Sequence, residues 1–234
     1  ITAALVAAGG IIIPALNKKG IYIGTHIKSC GSVNDRDFED YKTDITKLSD
    51  SSFAVLSEEK ALEMQNEILK AKESGDSLGG ILETAIIGLE AGVGEPWFDS
   101  LEGMLSHGLF SIPAVKGVEF GLGFAFADVY GSEGNDPFII ENDDVATSTN
   151  NNGGINGGIT NGMPLLFHTA IKPTPSISRP QQSVSLSRME VTSLEIKGRH
   201  DPCIVPRAVP VVEAAAAIAV FDAYLASCRN DWRK

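Results

Sequence analysis

Hydrophobic side chains recur at helical spacing in four stretches of the chain, and this pattern predicts four helices. The stretches are residues 1–16, 58–74, 98–110 and 209–228. The second stretch is bounded by Ser57, whose hydroxyl suits a helix N-cap, and by Gly75, which suits the left-handed position after a helix. We therefore expect this helix to begin and end at these two residues.

The four helices differ in how much of their surface is apolar. The first is apolar nearly all round, which predicts a buried helix, and the Ala-rich fourth is expected in the core or at a subunit interface. The third is expected to turn one side inward, where its larger side chains can pack. That side consists of Phe98, Leu101, Leu105 and Leu109.

Stretches in which apolar residues recur at a shorter spacing than in a helix predict strands between the helices. These runs are 21–28, 78–89, 115–130 and 163–171, with one or two further strands in 184–196. Three polar stretches are interpreted as surface structure or loops: 33–53, 143–162 and 197–206. Helices and strands occur without a short repeat or an obvious linker, which predicts one α+β domain over residues 1–234.

The chain carries a formal net charge of −11. Nucleic acids and anionic membranes bind clustered Lys and Arg, so this charge argues against both as partners. The apolar run 208–225 is interrupted by Pro210, Glu213 and Asp222, which argues against a membrane span. Three cysteines without CxxC spacing indicate neither a disulfide framework nor a zinc site, so a cytoplasmic protein is expected.

Residues 150–162 form a Gly- and Asn-rich segment. Glycines permit positive φ, and successive N–H groups in such turns can bind an anion. The spacing matches neither the Walker A motif nor the dinucleotide fingerprint. Composition alone favours a mobile surface loop, although Ile155 and Ile159 are apolar anchors that argue against it.

Residues 172–176 read Lys-Pro-Thr-Pro-Ser directly after a predicted strand. The two prolines hold the segment extended, so one cation and two hydroxyls would project from a stiff support. Such a support suits a phosphate group, which is bound by charge-assisted donors at fixed positions. A strand exit stiffened by proline explains the pattern equally well.

Residues 197–203 read Lys-Gly-Arg-His-Asp-Pro-Cys, and Arg207 follows. This density of ionisable side chains between Gly and Pro is difficult to explain by packing. Asp201 could anchor an arginine, or it could transfer a proton with a pKa controlled by neighbouring arginines. The pattern favours the functional interpretation, whereas His26, His107 and His168 are isolated and are interpreted as structural.

Several segments in register resemble the chorismate synthase family. Beside the three segments above, residues 75–80 read GDSLGG, 92–99 read GVGEPWFD, 111–119 read SIPAVKGVE, 131–136 read GSEGND and 197–209 read KGRHDPCIVPRAV. The resemblance runs from Thr2 to the last predicted helix. It implies a sandwich-like β-α-β core of the chorismate synthase type, incomplete in this chain.

The resemblance also implies an activity. Members of the family convert 5-enolpyruvylshikimate 3-phosphate to chorismate by a 1,4-anti elimination of phosphate, they require reduced FMN, and they are homotetramers. The resemblance allows two sources of reduced flavin: the complete protein reduces its own flavin with NADPH, or it receives the flavin already reduced. The flavin site implied for this chain is lined by Pro113, Ala114, Gly157, Lys172, Pro173, Thr174, Pro175, Ser176 and Arg199. Asp201 matches the family's carboxylate for proton transfer at the flavin.

The family's two catalytic histidines and most of its substrate-binding arginines belong to segments that this sequence lacks. The chain begins with Ile1 and enters its first helix without a capping segment, which predicts a truncated chain. We therefore expect an inactive part of an enzyme. The alternatives are a non-catalytic flavin- or anion-binding module derived from the same fold, and a fragment that only assembles.

Overall fold

The computed structural model describes residues 1–141 and 143–229 of the 234-residue chain. The helices are α1 (Thr2–Asn17), α2 (Tyr41–Ser49), α3 (Glu58–Glu73), α4 (Leu101–Phe110), α5 (Gly131–Gly134) and α6 (Val205–Arg229). The strands are β1 (Tyr22–Cys30), β2 (Val33–Asn34), β3 (Gly80–Ile87), β4 (Val115–Phe120), β5 (Phe138–Glu141), β6 (Asp144–Thr147), β7 (Ile155–Asn156), β8 (Ile159–Thr160), β9 (Leu165–Ile171), β10 (Gln181–Ser185) and β11 (Glu190–Leu194). Short 3-10 helices cover Trp97–Asp99 and Gly123–Asp128.

Five strands form one antiparallel sheet in the order β2-β1-β3-β9-β4. Its register places His26 opposite Glu83, Glu83 opposite His168, and His168 opposite Glu119. Directly opposed residues share a face of the sheet, so these four side chains form one row across four strands. The other strands pair as the hairpins β5–β6, β7–β8 and β10–β11.

The opposite face of the sheet packs against a layer of helices. Leu82 and Phe167 on this face are fully buried in the same hydrophobic cluster as Val212 and Ala216 of α6. Helix α6 also packs against α1 and α4. This arrangement of one sheet and one helical layer confirms the predicted α+β class, and no second sheet of comparable size occurs in 1–141 and 143–229.

Helices α1 and α6 cross at close range because small residues lie at the contact. A Cβ added to Gly9 would lie 2.5 Å from Cβ and 2.8 Å from Cα of Ala214. Such an approach leaves no room for a larger side chain at either position. The Ala-rich sequence of α6 therefore serves close helix packing, as expected for a core helix.

By length and composition alone, residues Val205–Cys228 of α6 could cross a membrane. In the structure, 61% of the apolar window of this helix is buried inside the protein. The core helix of a folded domain has the same composition, so the buried fraction favours that interpretation here. The sequence argument against a membrane span is consistent with this packing.

Local sequence signals placed several element boundaries correctly. Ser57 precedes α3, and its Oγ accepts a hydrogen bond from the N–H of Lys60 at 3.5 Å. Gly75 follows the helix with φ of +70°. The apolar residues that recur at helical spacing in this stretch are Ala61, Met64, Ile68 and Ala71, and of these Met64 and Ala71 are buried, so this side of α3 faces the core.

Three predictions about helices were wrong. Of the 16 residues of α1, Gly9 and Leu16 are buried, whereas Ile11 is 76% exposed, so α1 is not a buried helix in this chain. Phe98 does not face inward: it precedes α4 in a 3-10 helix and is 93% exposed. The stretch 33–53, interpreted as irregular, contains α2 with Asp40 as its N-cap.

Two predictions about strands also need correction. The strand expected over 115–130 ends at Phe120 because Gly121 turns with φ of +55°, and a Cβ there would lie 1.9 Å from the Asn151 carbonyl oxygen. The loop expected over 143–162 contains β6 and the hairpin β7–β8. Short strands of two to four residues do not show a period in sequence.

Candidate functional site

Two of the segments expected at the flavin meet where β9 ends and β4 begins. The backbone N–H of Lys172 donates to the Ala114 carbonyl oxygen at 2.9 Å. Ala114 has φ of +75°, a conformation that costs a non-glycine residue about 1–2 kcal/mol. The surrounding contacts hold this strained turn in place, which brings the segment containing Pro113 against the Lys-Pro-Thr-Pro-Ser segment.

A third segment joins them through two hydrogen bonds. The Thr174 hydroxyl donates to the Asp201 carbonyl oxygen at 2.8 Å, and Ser176 Oγ lies 3.0 Å from His200 Nδ1. His200 Nε2 lies 2.9 Å from the Ile196 carbonyl oxygen, which can only accept. In the neutral imidazole, Nε2 therefore donates, and Nδ1 accepts from the Ser176 hydroxyl.

These contacts change the expected role of the two hydroxyls. Thr174 and Ser176 were expected to project from a stiff support, but both contact residues 200–201 of the neighbouring segment. The hydroxyls thus connect two segments that are more than 20 residues apart in sequence. The role of His200 in this connection was not anticipated, because its partner is distant along the chain.

Charged side chains surround this meeting point. Asp201 forms an ion pair with Arg207, and their side chains are 40% and 67% exposed. Lys172 and Arg199 belong to the segments that meet here and are exposed, as are Pro113, Pro173 and Pro175. The edge therefore presents cations to solvent in an otherwise acidic protein, which suits an anionic ligand.

Gly157 lies apart from the other expected flavin residues. It is in the turn of the β7–β8 hairpin with φ of +61°, and the next residue, Gly158, accepts a hydrogen bond from the N–H of Leu101 at 2.9 Å. Leu101 begins α4, whereas Pro113 and Ala114 follow its end. A ten-residue helix is about 15 Å long, so roughly this length separates Gly157 from the other segments.

The Gly-rich segment is ordered by Asp136. The Asp136 carboxylate accepts hydrogen bonds from the N–H groups of Asn151 and Asn152 at 2.7 and 2.9 Å, and from the Thr149 hydroxyl at 2.7 Å. Burial alone would raise the pKa of Asp136, but these hydrogen bonds hold it below its usual value. The anion bound by these backbone N–H groups is thus a side chain of the protein itself.

The polar row on the sheet is a network of ionisable side chains, of which His26 and Glu83 are buried and His168 and Glu119 are partly exposed. His26 Nε2 lies 2.6 Å from Glu83 Oε2, and His168 Nε2 lies 3.0 Å from Glu83 Oε1. Burial would raise the pKa of Glu83, but its two histidine partners lower it to about 2. His168 Nδ1 lies 3.4 Å from Glu119 Oε1. Two of the three histidines interpreted as isolated, His26 and His168, are therefore linked through one carboxylate.

The partly buried carboxyl of Glu213 lies beside a cavity of about 660 Å³ between the amino-terminal part of α6 and β1. Glu213 Oε1 accepts a hydrogen bond from the N–H of Thr25 at 2.8 Å. Burial raises the pKa of Glu213 to about 7, and this hydrogen bond only partly opposes the effect. Glu213 appeared in the sequence only as an interruption of an apolar run.

Known proteins resemble this chain in sequence and in fold. The family model described as chorismate synthase matches residues 1–225. The chain belongs to the chorismate synthase family. A crystal structure of a chorismate synthase superposes with a TM-score of 0.80 at 32% identity, covering 97% of this chain and 63% of that chain. The fold is therefore the mixed α+β fold of chorismate synthases.

Individual relatives agree with the family assignment. The chorismate synthase of Thermococcus gammatolerans is 47% identical over 223 residues, and that of Dehalococcoides mccartyi strain BAV1 is 47% identical over 224. The relative from Methanobrevibacter smithii is 45% identical over 224 residues. Each match covers 95% of this chain and 61% of the relative. The chain thus spans about three-fifths of the length of these curated relatives.

Proposed function

We propose that this chain is part of a lyase that eliminates phosphate from 5-enolpyruvylshikimate 3-phosphate to give chorismate, with reduced FMN as cofactor. The observation that carries the proposal is the meeting of three segments at one edge, through the Lys172–Ala114, Thr174–Asp201 and Ser176–His200 contacts. The family assignment supplies the reaction class. The exposed cations at this edge suit the negative charges of a flavin phosphate and of the substrate.

The residues at this edge fit part of a flavin site. Lys172 and Arg199 would supply charge-assisted donors for a phosphate or a flavin carbonyl oxygen, and the strained Ala114 turn lies next to Lys172. Thr174 acts by positioning, because its hydroxyl already binds the Asp201 carbonyl. Gly157 lies at the other end of α4, and we propose that it lines a more distant part of the same flavin site.

When bound, reduced flavin would supply electron density transiently for the elimination, in which a C–O bond to phosphate would break and a ring hydrogen would be lost as a proton. The residues of this chain would hold the reactants and stabilise negative charge. Lys172 and Arg199 would stabilise the anionic groups. Asp201, in contact with Arg207, would accept or hold a proton at the flavin.

The proposal includes the setting of the complete protein: one domain, cytoplasmic, and a homotetramer. Exposed apolar side chains support assembly, among them Ile11 on α1 at 76% and Phe138 and Ile140 on β5 at 74% and 73%. Such surfaces are typical of subunit or segment contacts. Light scattering during size-exclusion chromatography would measure the assembly, and a monomeric complete protein would contradict the proposed tetramer.

The function can be tested with a chimera. The 234-residue chain would be fused to the part of the Thermococcus gammatolerans relative that lies outside the match, and compared with the chain alone. With reduced FMN and substrate under anaerobic conditions, we expect phosphate release from the chimera and none from the chain. Flavin binding without turnover by the chimera would favour a non-catalytic flavin-binding module. Absence of both would contradict the proposal.

A further inference from the structure

Two buried cysteines from opposite ends of the chain are in contact. Cys30 ends β1, Cys203 precedes α6, and their Sγ atoms lie 3.7 Å apart. Their side chains are 1% and 9% exposed. The separation of 173 residues in sequence hides this relationship from any spacing motif.

We propose that Cys30 and Cys203 form a redox modification site, at which the two thiols are oxidised reversibly to an intramolecular disulfide. The sulfur atoms are already in van der Waals contact, and an S–S bond of about 2.05 Å requires them to approach by about 1.7 Å. Rotation about the side-chain torsions and a small shift of the segment before α6 would supply this approach.

The surroundings hold the two sulfurs together. Leu78 forms a parallel bridge with Cys203, and its N–H donates to the Pro202 carbonyl oxygen at 2.7 Å. Cys30 is paired with Gly80, where an added Cβ would lie 3.2 Å from Val205 Cγ2. The end of β1 and the start of α6 thus pack around the beginning of β3 without an intervening large side chain.

The two thiols have different chemical roles. The pKa of Cys203 lies below its usual value because the Cys30 thiol and the Val205 N–H at the start of α6 stabilise its thiolate. The pKa of Cys30 is raised by the hydrogen bond to Cys203 and by burial. The thiolate is the nucleophile in disulfide exchange. Cys203, the more exposed of the two, is therefore the attacking group.

The oxidation balances with a small-molecule disulfide such as oxidised glutathione as oxidant. The Cys203 thiolate attacks one sulfur of the oxidant, breaks its S–S bond and releases one thiolate. Cys30 then attacks Cys203 Sγ, the mixed disulfide breaks, and a second thiolate leaves. The protons of the two protein thiols go to the two released thiolates. Two electrons pass from the protein to the oxidant, and excess reduced thiol reverses the reaction.

The modification lies close to the proposed flavin site. Cys203 follows Asp201 by two residues, and the Asp201 carbonyl oxygen accepts a hydrogen bond from the Thr174 hydroxyl. Movement of Cys203 towards Cys30 would therefore act on the Asp201–Thr174 contact. This consequence rests on the proposed function, whereas disulfide formation itself can be measured without flavin or substrate.

The experiment uses the 234-residue chain with Cys228→Ser, which removes the exposed third thiol. The native protein is equilibrated with graded ratios of oxidised and reduced glutathione, alkylated, digested and analysed by mass spectrometry. We expect a peptide that joins Cys30 to Cys203 and disappears with dithiothreitol. The oxidised form should also melt on the order of 5–15 °C higher, because the bond closes a long loop.

A matched variant separates the two steps. In Cys30→Ala, Cys203 should stop at a mixed disulfide with glutathione, because the second thiol is absent. The proposal is overturned if the Cys228→Ser chain with both Cys30 and Cys203 gives only mixed disulfides with glutathione. It is also overturned if both thiols can still be alkylated at the most oxidising ratio. Should Cys30→Ala fail to fold, the peptide map of the parent protein still decides the question.

Discussion

The Nε2 atom of His26 lies 2.6 Å from Oε2 of Glu83, at a position in the sheet where both residues are almost completely buried. The opposite ring nitrogen of His26 lies 3.2 Å from the Asp35 carboxylate. Asp35 in turn accepts hydrogen bonds from the N–H groups of Leu56 and Ser57. One imidazole therefore connects the sheet to the two residues that precede α3.

Breaking this pair should destabilise the chain strongly. Removing one partner of a buried charge pair leaves the other unpaired in the interior, at a cost of about 3–5 kcal/mol. We expect this loss for His26→Leu in urea unfolding, and a smaller one for the exposed pair in Lys70→Ala, about 0–1 kcal/mol. Equal effects of the two substitutions would contradict a structural role for the buried network.

The direction of the acid response of Glu83 follows from its pKa. The folded pKa of about 2 lies below the ordinary value of 4.5. Its contribution to stability is therefore present above pH 4.5 and is lost as the pH falls towards 2. The same variant tests this response. Because His26→Leu removes one of the two partners that lower the Glu83 pKa, the variant should lose less unfolding free energy than the unchanged chain as the pH falls from 4.5 to 2.

This network shows why sequence reasoning found some features and missed others. Ser57 and the stripe of α3 are local signals, and both were predicted. The link between His26, Glu83 and His168 depends on strand register, which joins residues 57 and 85 positions apart. Nothing in the local sequence encodes those distances, so the histidines appeared isolated.

Some misses did have a readable signal. Asp40 accepts the N–H of Thr43 at 3.1 Å as the N-cap of α2, and Ile45 and Leu48 face the core. A cap followed by apolar residues at helical spacing was present within a stretch that was interpreted as polar surface structure.

The start of α4 also had a local signal. Phe98 continued the apolar period of α4, but Ser100 caps the helix, with its Oγ accepting a hydrogen bond from the Gly103 N–H at 3.0 Å. The cap, rather than the period, marks the boundary.

The motifs predicted which segments form the candidate site but not how these segments contact one another. Lys172 and Asp201 were predicted as separate members of one site, and the structure brings their segments together through Ala114 and Thr174. Gly157 was assigned to the same site by its motif and lies at the other end of α4. A motif carries residue identity, whereas the placement depends on tertiary packing.

Glu213 should make the chain less stable as the pH rises towards neutrality. Its folded pKa of about 7 exceeds the ordinary 4.5, so its stabilising contribution is complete below pH 4.5 and is lost as the pH rises through 7. Glu213→Gln should remove a loss on the order of 2–3 kcal/mol over this range. Urea unfolding from pH 4 to 8 measures it. Asp222→Asn, an exposed carboxylate on the same helix, is the matched control and should leave the slope unchanged.

Two adjacent glycines of α1 should respond oppositely to alanine. At Gly9, a Cβ would lie 2.5 Å from the Ala214 side chain, so Gly9→Ala should destabilise by about 1–3 kcal/mol through overpacking. At Gly10, an added Cβ meets nothing within 4 Å, so Gly10→Ala should stabilise by about 0.5–1 kcal/mol. Thermal unfolding of both variants checks the close crossing of α1 and α6, and a stabilised Gly9→Ala would be incompatible with it.

Lys172 should contribute to flavin binding in the complete protein. A charge-assisted hydrogen bond contributes roughly 1.5–3 kcal/mol. Lys172→Ala should therefore weaken FMN binding by about tenfold to a hundredfold. Titration of flavin fluorescence with the chimera measures the dissociation constant. Lys19→Ala, an exposed lysine next to the end of α1, serves as control, and an unchanged constant for Lys172→Ala would remove this residue from the site.

Asp201 should act on turnover more than on binding. Its ion pair with Arg207 gives a sharp way to distinguish a proton-transfer group from an anchor. If the carboxylate transfers a proton, Asp201→Asn in the chimera should lower turnover by about 10²-fold or more while FMN and substrate affinities change little. Arg207→Gln removes the same ion pair but keeps the carboxylate, so it should retain most of the turnover.

An anchor would produce the opposite pattern. Because Asp201 and Arg207 contribute equally to their ion pair, loss of either partner would disturb the segment from residue 199 to residue 203 in the same way, and both variants would lose affinity together. Single-turnover absorbance of the bound flavin gives the rate, and separate titrations give the affinities. Matching losses in the two variants would assign Asp201 to the support of the segment. A rate defect confined to Asp201→Asn requires the basicity of the carboxylate itself.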